Sequence, residues 1–205
     1  PTLKPRELMF EGHGGVRLPA DAWADPEAPA VLLLHGGGQT RHAWGGTAAA
    51  LARDGRFAIA LDQRGHGDSD WHGEGDYRLG AFAADLVRVI ERFPPSPALV
   101  GASLGGLAIL LAAETPGFAP SAVVLVDVAP RLEEEGTRRI TEFMTDRRDG
   151  FASLEEAAAY IAAYTRERTR ERNLDGLLKV LRRGEDGRYR WHWDPLFMSE
   201  RGPSE

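Results

Sequence analysis

Gly101-Ala102-Ser103-Leu104-Gly105 is a G-x-S-x-G pentapeptide between an apolar run that ends at Ala102 and a second that continues from Leu104 to Ala113. A serine on a sharp strand-to-helix turn has its hydroxyl lifted clear of the sheet, in a strained backbone that needs glycine on both sides. The same turn puts Ser103 at a helix N-terminus, where free N–H groups favour a developing negative charge. Ser103 therefore reads as a nucleophile. With 24 glycines in 205 residues the pentapeptide alone is a weak signal, and the flanking strand and helix give it its weight.

The elements around it are legible from their apolar runs. Ala30 to Leu34 is continuously apolar, the pattern of a strand buried on both faces of a parallel sheet, and it ends in His35-Gly36-Gly37-Gly38. A helix is expected from about Thr40 to Asp54, with Gly55 as its stop signal. Phe57 to Leu61 is the next buried strand, closed by the polar stretch from Asp62 to Asp70. From Leu79 to Phe93 the residues Phe82, Leu86, Val89, Ile90 and Phe93 recur at helical spacing, and Pro94-Pro95 ends the pattern. Pro97 to Ala102 and Ala122 to Val128 are two further strands. Upstream, Glu7 to His13 and Val16 to Trp23 flank Gly14-Gly15 as a hairpin.

Strands alternating with helices from residue 30 to 130 predict an α/β fold, a mostly parallel sheet with helices on both faces. Ligands of such sheets bind beyond the carboxyl ends of the strands. His35-Gly36-Gly37, Asp62-Gln63-Arg64, Ser103 and Asp127 all fall on that rim.

Beyond residue 130 the character changes. Arg131 to Asp149, Leu154 to about Arg172, and Leu174 to Arg183 read as charged amphipathic helices, followed by a turn at 184–187 and an extended segment from Tyr189 to Trp193. Ile140, Phe143, Met144, Tyr160, Ile161 and Tyr164 could form one apolar surface. The expected organisation is a core over residues 1–130 and a helical cap over 131–205; a separate helical domain is the alternative.

Composition bounds the possibilities. A net charge of -6, with no basic stripe before residue 166, argues against nucleic acid as a partner. No cysteine is present, which removes disulfides, thiolate metal sites and a cysteine nucleophile. No stretch has the length and apolarity of a membrane span. A cytoplasmic enzyme acting on a small molecule, without metal or cofactor, fits these bounds.

Four motifs together resemble the α/β-hydrolase superfamily, in its cap-bearing esterase, lactonase, carbon–carbon hydrolase and cofactor-free haloperoxidase branches. They are His35-Gly36-Gly37-Gly38, the stretch from Asp62 to Ser69, the Ser103 pentapeptide, and Val124-Leu-Val-Asp-Val-Ala-Pro130. The resemblance implies that Ser103 forms an acyl-enzyme and that the N–H groups of Leu104 and Gly37 make the oxyanion hole. It also implies a structural role for the loop from Arg64 to Ser69, and it makes Asp127 a candidate acid. Serine at 103 argues against epoxide-hydrolase or haloalkane-dehalogenase chemistry, which uses a carboxylate there. Gly38, Phe143 and Trp193 are candidate pocket residues.

The family order is nucleophile, acid, histidine. Here His35 and His66 sit inside structural motifs, His13 and His72 lie in early loops, His42 lies beside the glycine loop, and His192 alone follows Ser103. With no further strand–helix units before Glu205, strand 122–128 would be a bare apolar edge, an aggregation hazard. The expectation is that the family's last strands, with the histidine and acid, belong to a second polypeptide segment or subunit covering that edge. Two alternatives stay open, a catalytically silent hydrolase-fold binder and a truncated inactive fragment. Halogenation through perhydrolysis would use the same site.

Overall fold

Side chains of the central strands alternate between two apolar layers, and this alternation builds the molecule. In the computed structural model, residues 4–128, 134–165, 174–199 and 202–203 are described. Strand β1 (Arg6–Glu11) pairs antiparallel with β2 (Arg17–Trp23), and β3 (Ala30–Leu34) pairs parallel with β4 (Phe57–Leu61). From β3 and β4, Leu32, Leu34, Ile59 and Leu61 face one layer. It is shared with helix α2 (Leu79–Ile90) and, beyond strand β5 (Ala98–Ala102), helix α3 (Leu104–Ala112). Val31, Leu33, Ala58 and Ala60 face the opposite layer, against Ala48 and Ala52 of α1 (Gly45–Arg53). The small side chains on both sides of that second layer let α1 approach the sheet closely, as interior packing density requires.

The six-stranded sheet has the order β1-β2-β4-β3-β5-β6, with β6 spanning Ala122–Val126. Its inner strands are parallel, with Leu34 opposite both Leu61 and Gly101, and Gly101 opposite Leu125. That register brings the residues following β3, β4, β5 and β6 to one rim, the arrangement the alternating pattern predicts. The far side of β6 is different. Among the described residues β6 pairs with β5 alone, and Val123, Val124, Leu125 and Val126 are 40–51% exposed. The apolar edge expected from the sequence is present.

Several boundaries move for identifiable reasons. The residues before α1, Arg41–Trp44, form a 3-10 turn in place of the expected helix start. Arg41 is drawn inward there, its N–H donating to Asp62 Oδ1 at 2.6 Å and its guanidinium reaching Asp62, Asp68 and Asp21. Helix α2 stops at Ile90, short of Phe93.

Helix α4 (Glu134–Asp146) and α5 (Leu154–Thr165) follow. The expected helix from Leu174 to Arg183 is instead one turn, α6 (Leu174–Leu177), leading into β7 (Leu181–Arg183), which pairs antiparallel with β8 (Tyr189–Trp191). Long-range hydrogen bonds decide this: Phe151 and Tyr189 exchange N–H···O bonds at 2.7 and 2.8 Å, and His192 N–H donates to Val180 C=O at 2.9 Å. The parts of the expected helices at 131–133 and 166–172 lie outside the described residues. Phe143, Tyr160 and Tyr164 do share one stack, but Ile140 stays 50% exposed.

The segment after β8 clamps this second part of the chain to the rim. Gly67 N–H donates to His192 C=O and Asp194 N–H to Gly65 C=O, each at 2.8 Å. The Tyr77 hydroxyl donates to Asp194 Oδ2 at 2.6 Å. Met144, Trp193 and Phe197 then pack in one apolar cluster with Tyr77, Phe82, Leu104 and Ala108 of the rim.

Candidate functional site

Ser103 stands between β5 and α3 with φ 44° and ψ -111°, a backbone region that a non-glycine residue occupies at a cost of about 1–3 kcal/mol. Its neighbours show why the turn demands glycine. A Cβ on Gly101 would lie 2.6 Å from backbone atoms of Gly105 and Gly106, and a Cβ on Gly105 would lie 2.6 Å from Leu34. The same addition at Gly106 would collide with Val128. The elbow is held at both ends: Ser103 N–H donates to Val126 C=O at 3.0 Å, and Ser103 C=O accepts from Leu107 N–H at 2.9 Å. Its side chain makes no capping bond to the helix it precedes. Leu104, the first residue of α3, is buried, and its N–H belongs to the helix terminus.

The glycine loop after β3 lies directly against this elbow. The position a Cβ would take on Gly36 is 3.5 Å from Ser103 Cβ, and that of Gly37 is 3.9 Å from Leu104 Cδ2. The two residues expected to supply oxyanion donors, Gly37 and Leu104, are therefore neighbours. Gly38 adopts φ +76°, the left-handed region that glycine occupies without strain. The roof over the loop comes from the second part of the chain. Phe197 meets the Gly37 position at 3.2 Å, and Met144 Cε and Trp193 Nε1 meet that of Gly38 at 2.9 and 3.7 Å. Of the candidate pocket residues, Gly38 and Trp193 are thus brought together. Phe143 is turned toward Tyr160, Tyr164 and Trp191, at ring separations of 5.1, 4.0 and 5.5 Å. It lines a groove of about 620 Å³ between α4 and α5 that does not include Ser103. The pattern of Met and aromatic residues announced an apolar surface but not that Met144 and Phe197 cover the glycines.

Asp127 follows β6 with φ 52°, on the exposed edge. Five of the six histidine side chains are engaged by partners other than Ser103. His192 points at Asp68, 3.6 Å from its carboxylate, and His42 at Asp21, 3.5 Å away. His72 Nδ1 accepts from Asp76 N–H. His35 and His66 are fully buried. Among the described residues no group of three or more His, Asp or Glu side chains could hold a metal ion.

The two buried histidines support the rim. His35 Nδ1 faces Gly36 C=O at 2.8 Å and its Nε2 accepts from Gln63 N–H at 3.1 Å, which fixes the neutral tautomer with the proton on Nδ1. His66 Nδ1 faces Arg64 C=O at 2.9 Å, and its ring meets Phe197 edge-on at 4.6 Å. Burial disfavours the charged forms and pushes the pKa values down from 6.5 to about 4 for His35 and about 3 for His66. Both stay neutral in the folded protein while the unfolded chain takes up protons below pH 6.5. The stability they contribute is complete above that pH and is lost as pH falls toward 4 and then 3. At about 1.4 kcal/mol per pKa unit, the loss between pH 6.5 and 4 amounts to several kcal/mol. Urea midpoints measured from pH 7.5 to 4 should be level at first and drop steeply below 6.5; a flat profile would contradict the burial of both rings.

A mostly parallel sheet with a strained serine turn and a glycine loop meeting at its carboxyl rim defines the α/β-hydrolase class of fold. The profile of the alpha/beta hydrolase fold matches residues 29–196, and the chain belongs to this family. An esterase of Mycobacterium tuberculosis, Rv0045c, is 33% identical over 176 residues, covering 82% of this chain and 58% of that protein. Protein phosphatase methylesterase 1 of Bos taurus is 33% identical over 138 residues, covering 64% of this chain and 36% of its own length. The chain thus spans from about one third to under two thirds of these relatives. Among solved structures, an alpha/beta hydrolase from Novosphingobium aromaticivorans superposes with a TM-score of 0.81 at 25% identity, over 99% of this chain and 73% of that one.

Proposed function

We propose that this chain carries the nucleophile and oxyanion portion of a serine hydrolase acting on a small ester, lactone or related carbonyl compound. The observation that carries the reading is the Ser103 turn, a strained backbone with an uncapped hydroxyl beside a glycine loop. A binding protein has no need of that strain. Similarity to proteins named as an esterase and a methylesterase supports the same chemistry.

The Ser103 oxygen attacks the carbonyl carbon, and its proton passes to a histidine base. The carbonyl oxygen becomes an oxyanion held by the N–H groups of Leu104 and Gly37. Collapse expels the alcohol, which takes the proton from the base, and leaves an acyl group on Ser103. Water, deprotonated by the same base, then releases the acid and restores the serine. The expected cap over residues 131–205 covers the site, with Met144, Trp193 and Phe197 limiting the acyl group that fits over Gly37 and Gly38.

The histidine base comes, on this reading, from a polypeptide segment that adds to the open edge of β6, and the acid comes either from the same segment or from Asp127 at that edge. The exposed apolar strand supports such an addition, since an open edge pairs readily with another strand. A silent binder is the second reading, favoured by the turning of His192 toward Asp68 and of His42 toward Asp21. Labelling with a fluorophosphonate and mapping the adduct separates the two. A stoichiometric adduct on Ser103 is expected of the hydrolase with its base in place; folded protein without an adduct would favour the binder or a fragment stripped of its base.

A further inference from the structure

The glycine loop is secured by a residue that the acyl-transfer mechanism does not use. Gln39 follows the three glycines, and its side chain folds back over the first of them. Its Oε1 accepts from Gly36 N–H at 3.0 Å, while its own backbone N–H donates to Gly36 C=O at 3.1 Å. Both polar groups of Gly36 are therefore engaged by one residue. The same carbonyl receives the His35 Nδ1–H at 2.8 Å. His35 is fixed in turn by Gln63, whose Nε2–H donates to its carbonyl at 2.6 Å. A Cβ on Gly36 would lie 3.2 Å from the Gln39 oxygen and 3.5 Å from Ser103 Cβ, so all three groups crowd one point.

Three consecutive glycines have more backbone freedom than any other tripeptide. Rotation about the bonds of Gly36 would exchange the direction of the Gly37 N–H for that of the Gly36 carbonyl, which lie on opposite sides of one peptide plane. We propose that Gln39 is the positioning residue for the Gly37 donor: its Oε1 fixes the His35–Gly36 peptide through the Gly36 N–H, its backbone N–H fixes the Gly36–Gly37 peptide through the Gly36 C=O, and the two together set the direction of the Gly37 N–H. The role rests on the Ser103 reading above. It also explains why Gly36 is not itself the donor: its N–H is already occupied.

The chemistry of the side chain suits the task. A carboxamide offers an acceptor oxygen without a formal charge, so it fixes the loop without opposing the negative charge that develops beside it. Glutamate would keep the acceptor and add that opposition. Methionine would keep the length and lose the acceptor. Gln39 is exposed, so neither change disturbs the core.

Three measurements test the proposal on the full-length protein, with the segment that supplies its base: amide exchange at Gly36 by NMR, turnover of p-nitrophenyl acetate, and the melting temperature. In Gln39→Met, exchange at Gly36 should quicken and kcat should fall about tenfold, the scale of one net hydrogen bond, with KM and melting temperature essentially unchanged. In Gln39→Glu, exchange should stay slow while kcat falls. Unchanged Gly36 exchange in Gln39→Met overturns the lock whatever the turnover. Faster exchange with unaltered kcat overturns its bearing on catalysis, and a rise in KM alone would mark Gln39 as a substrate contact instead. Wild-type protein that gives no Ser103 adduct overturns the nucleophile reading, and the positioning role falls with it.

Discussion

Ser103→Ala should reduce ester turnover by roughly four orders of magnitude or more, because removing a serine nucleophile leaves only the rate that transition-state binding supports. KM should move little, since in the proposed mechanism the carbonyl is still met by the Gly37 and Leu104 donors. Stability supplies a second readout. Alanine inherits the φ of 44° and gains nothing, whereas Ser103→Gly removes the Cβ that makes this backbone costly. The glycine variant should therefore be as inactive as alanine yet more stable by about 1 kcal/mol, seen as a higher urea midpoint. An alanine variant retaining a tenth of wild-type activity would refute the assignment. A glycine variant no more stable than alanine would refute the strain.

Asp85→Ala has the largest expected effect on stability. The Arg64 guanidinium, 1% exposed, meets Asp85 through Nε at 2.6 Å and Nη2 at 2.7 Å, a bidentate pair. The same carboxylate accepts His13 N–H at 2.7 Å, so it joins α2, the first turn and the loop after β4. Its removal leaves a buried guanidinium with only the carbonyls of Asp76 and His13 for company. Breaking a buried pair in this way costs about 3–5 kcal/mol. For a chain of this size that lowers the melting temperature by roughly 10 °C. Calorimetry checks it, with Asp85→Asn as the control that keeps shape and one acceptor and should lose less. A change of under about 1 kcal/mol would mean that Arg64 finds water instead.

What the sequence made legible divides along the range of the forces involved. Strands β3, β4, β5 and β6 announce themselves as apolar runs because their burial on both faces is a local property of composition. The Ser103 turn is legible for a similar reason, as glycines mark where backbone must approach backbone. Arg41 was not legible as a buried residue, because its three carboxylate partners come from β2 and from the loop after β4. The hairpin of β7 and β8 was hidden in an arginine-rich stretch, and its pairing depends on Phe151, thirty or more residues away in the chain. Gln39 stood beside the glycines in plain view. Its side chain's return to Gly36 is a matter of turn geometry that residue type alone does not specify.

The bond from Ser103 N–H to Val126 C=O has a mechanical meaning. The peptide of Ser103 is tethered to β6, an edge strand that among the described residues is paired on one side only and is therefore prone to fray. Fraying of β6 and loosening of the serine turn are then a single local unfolding event, with one free energy for both. Whatever steadies that strand also raises the fraction of time Ser103 spends in its strained turn.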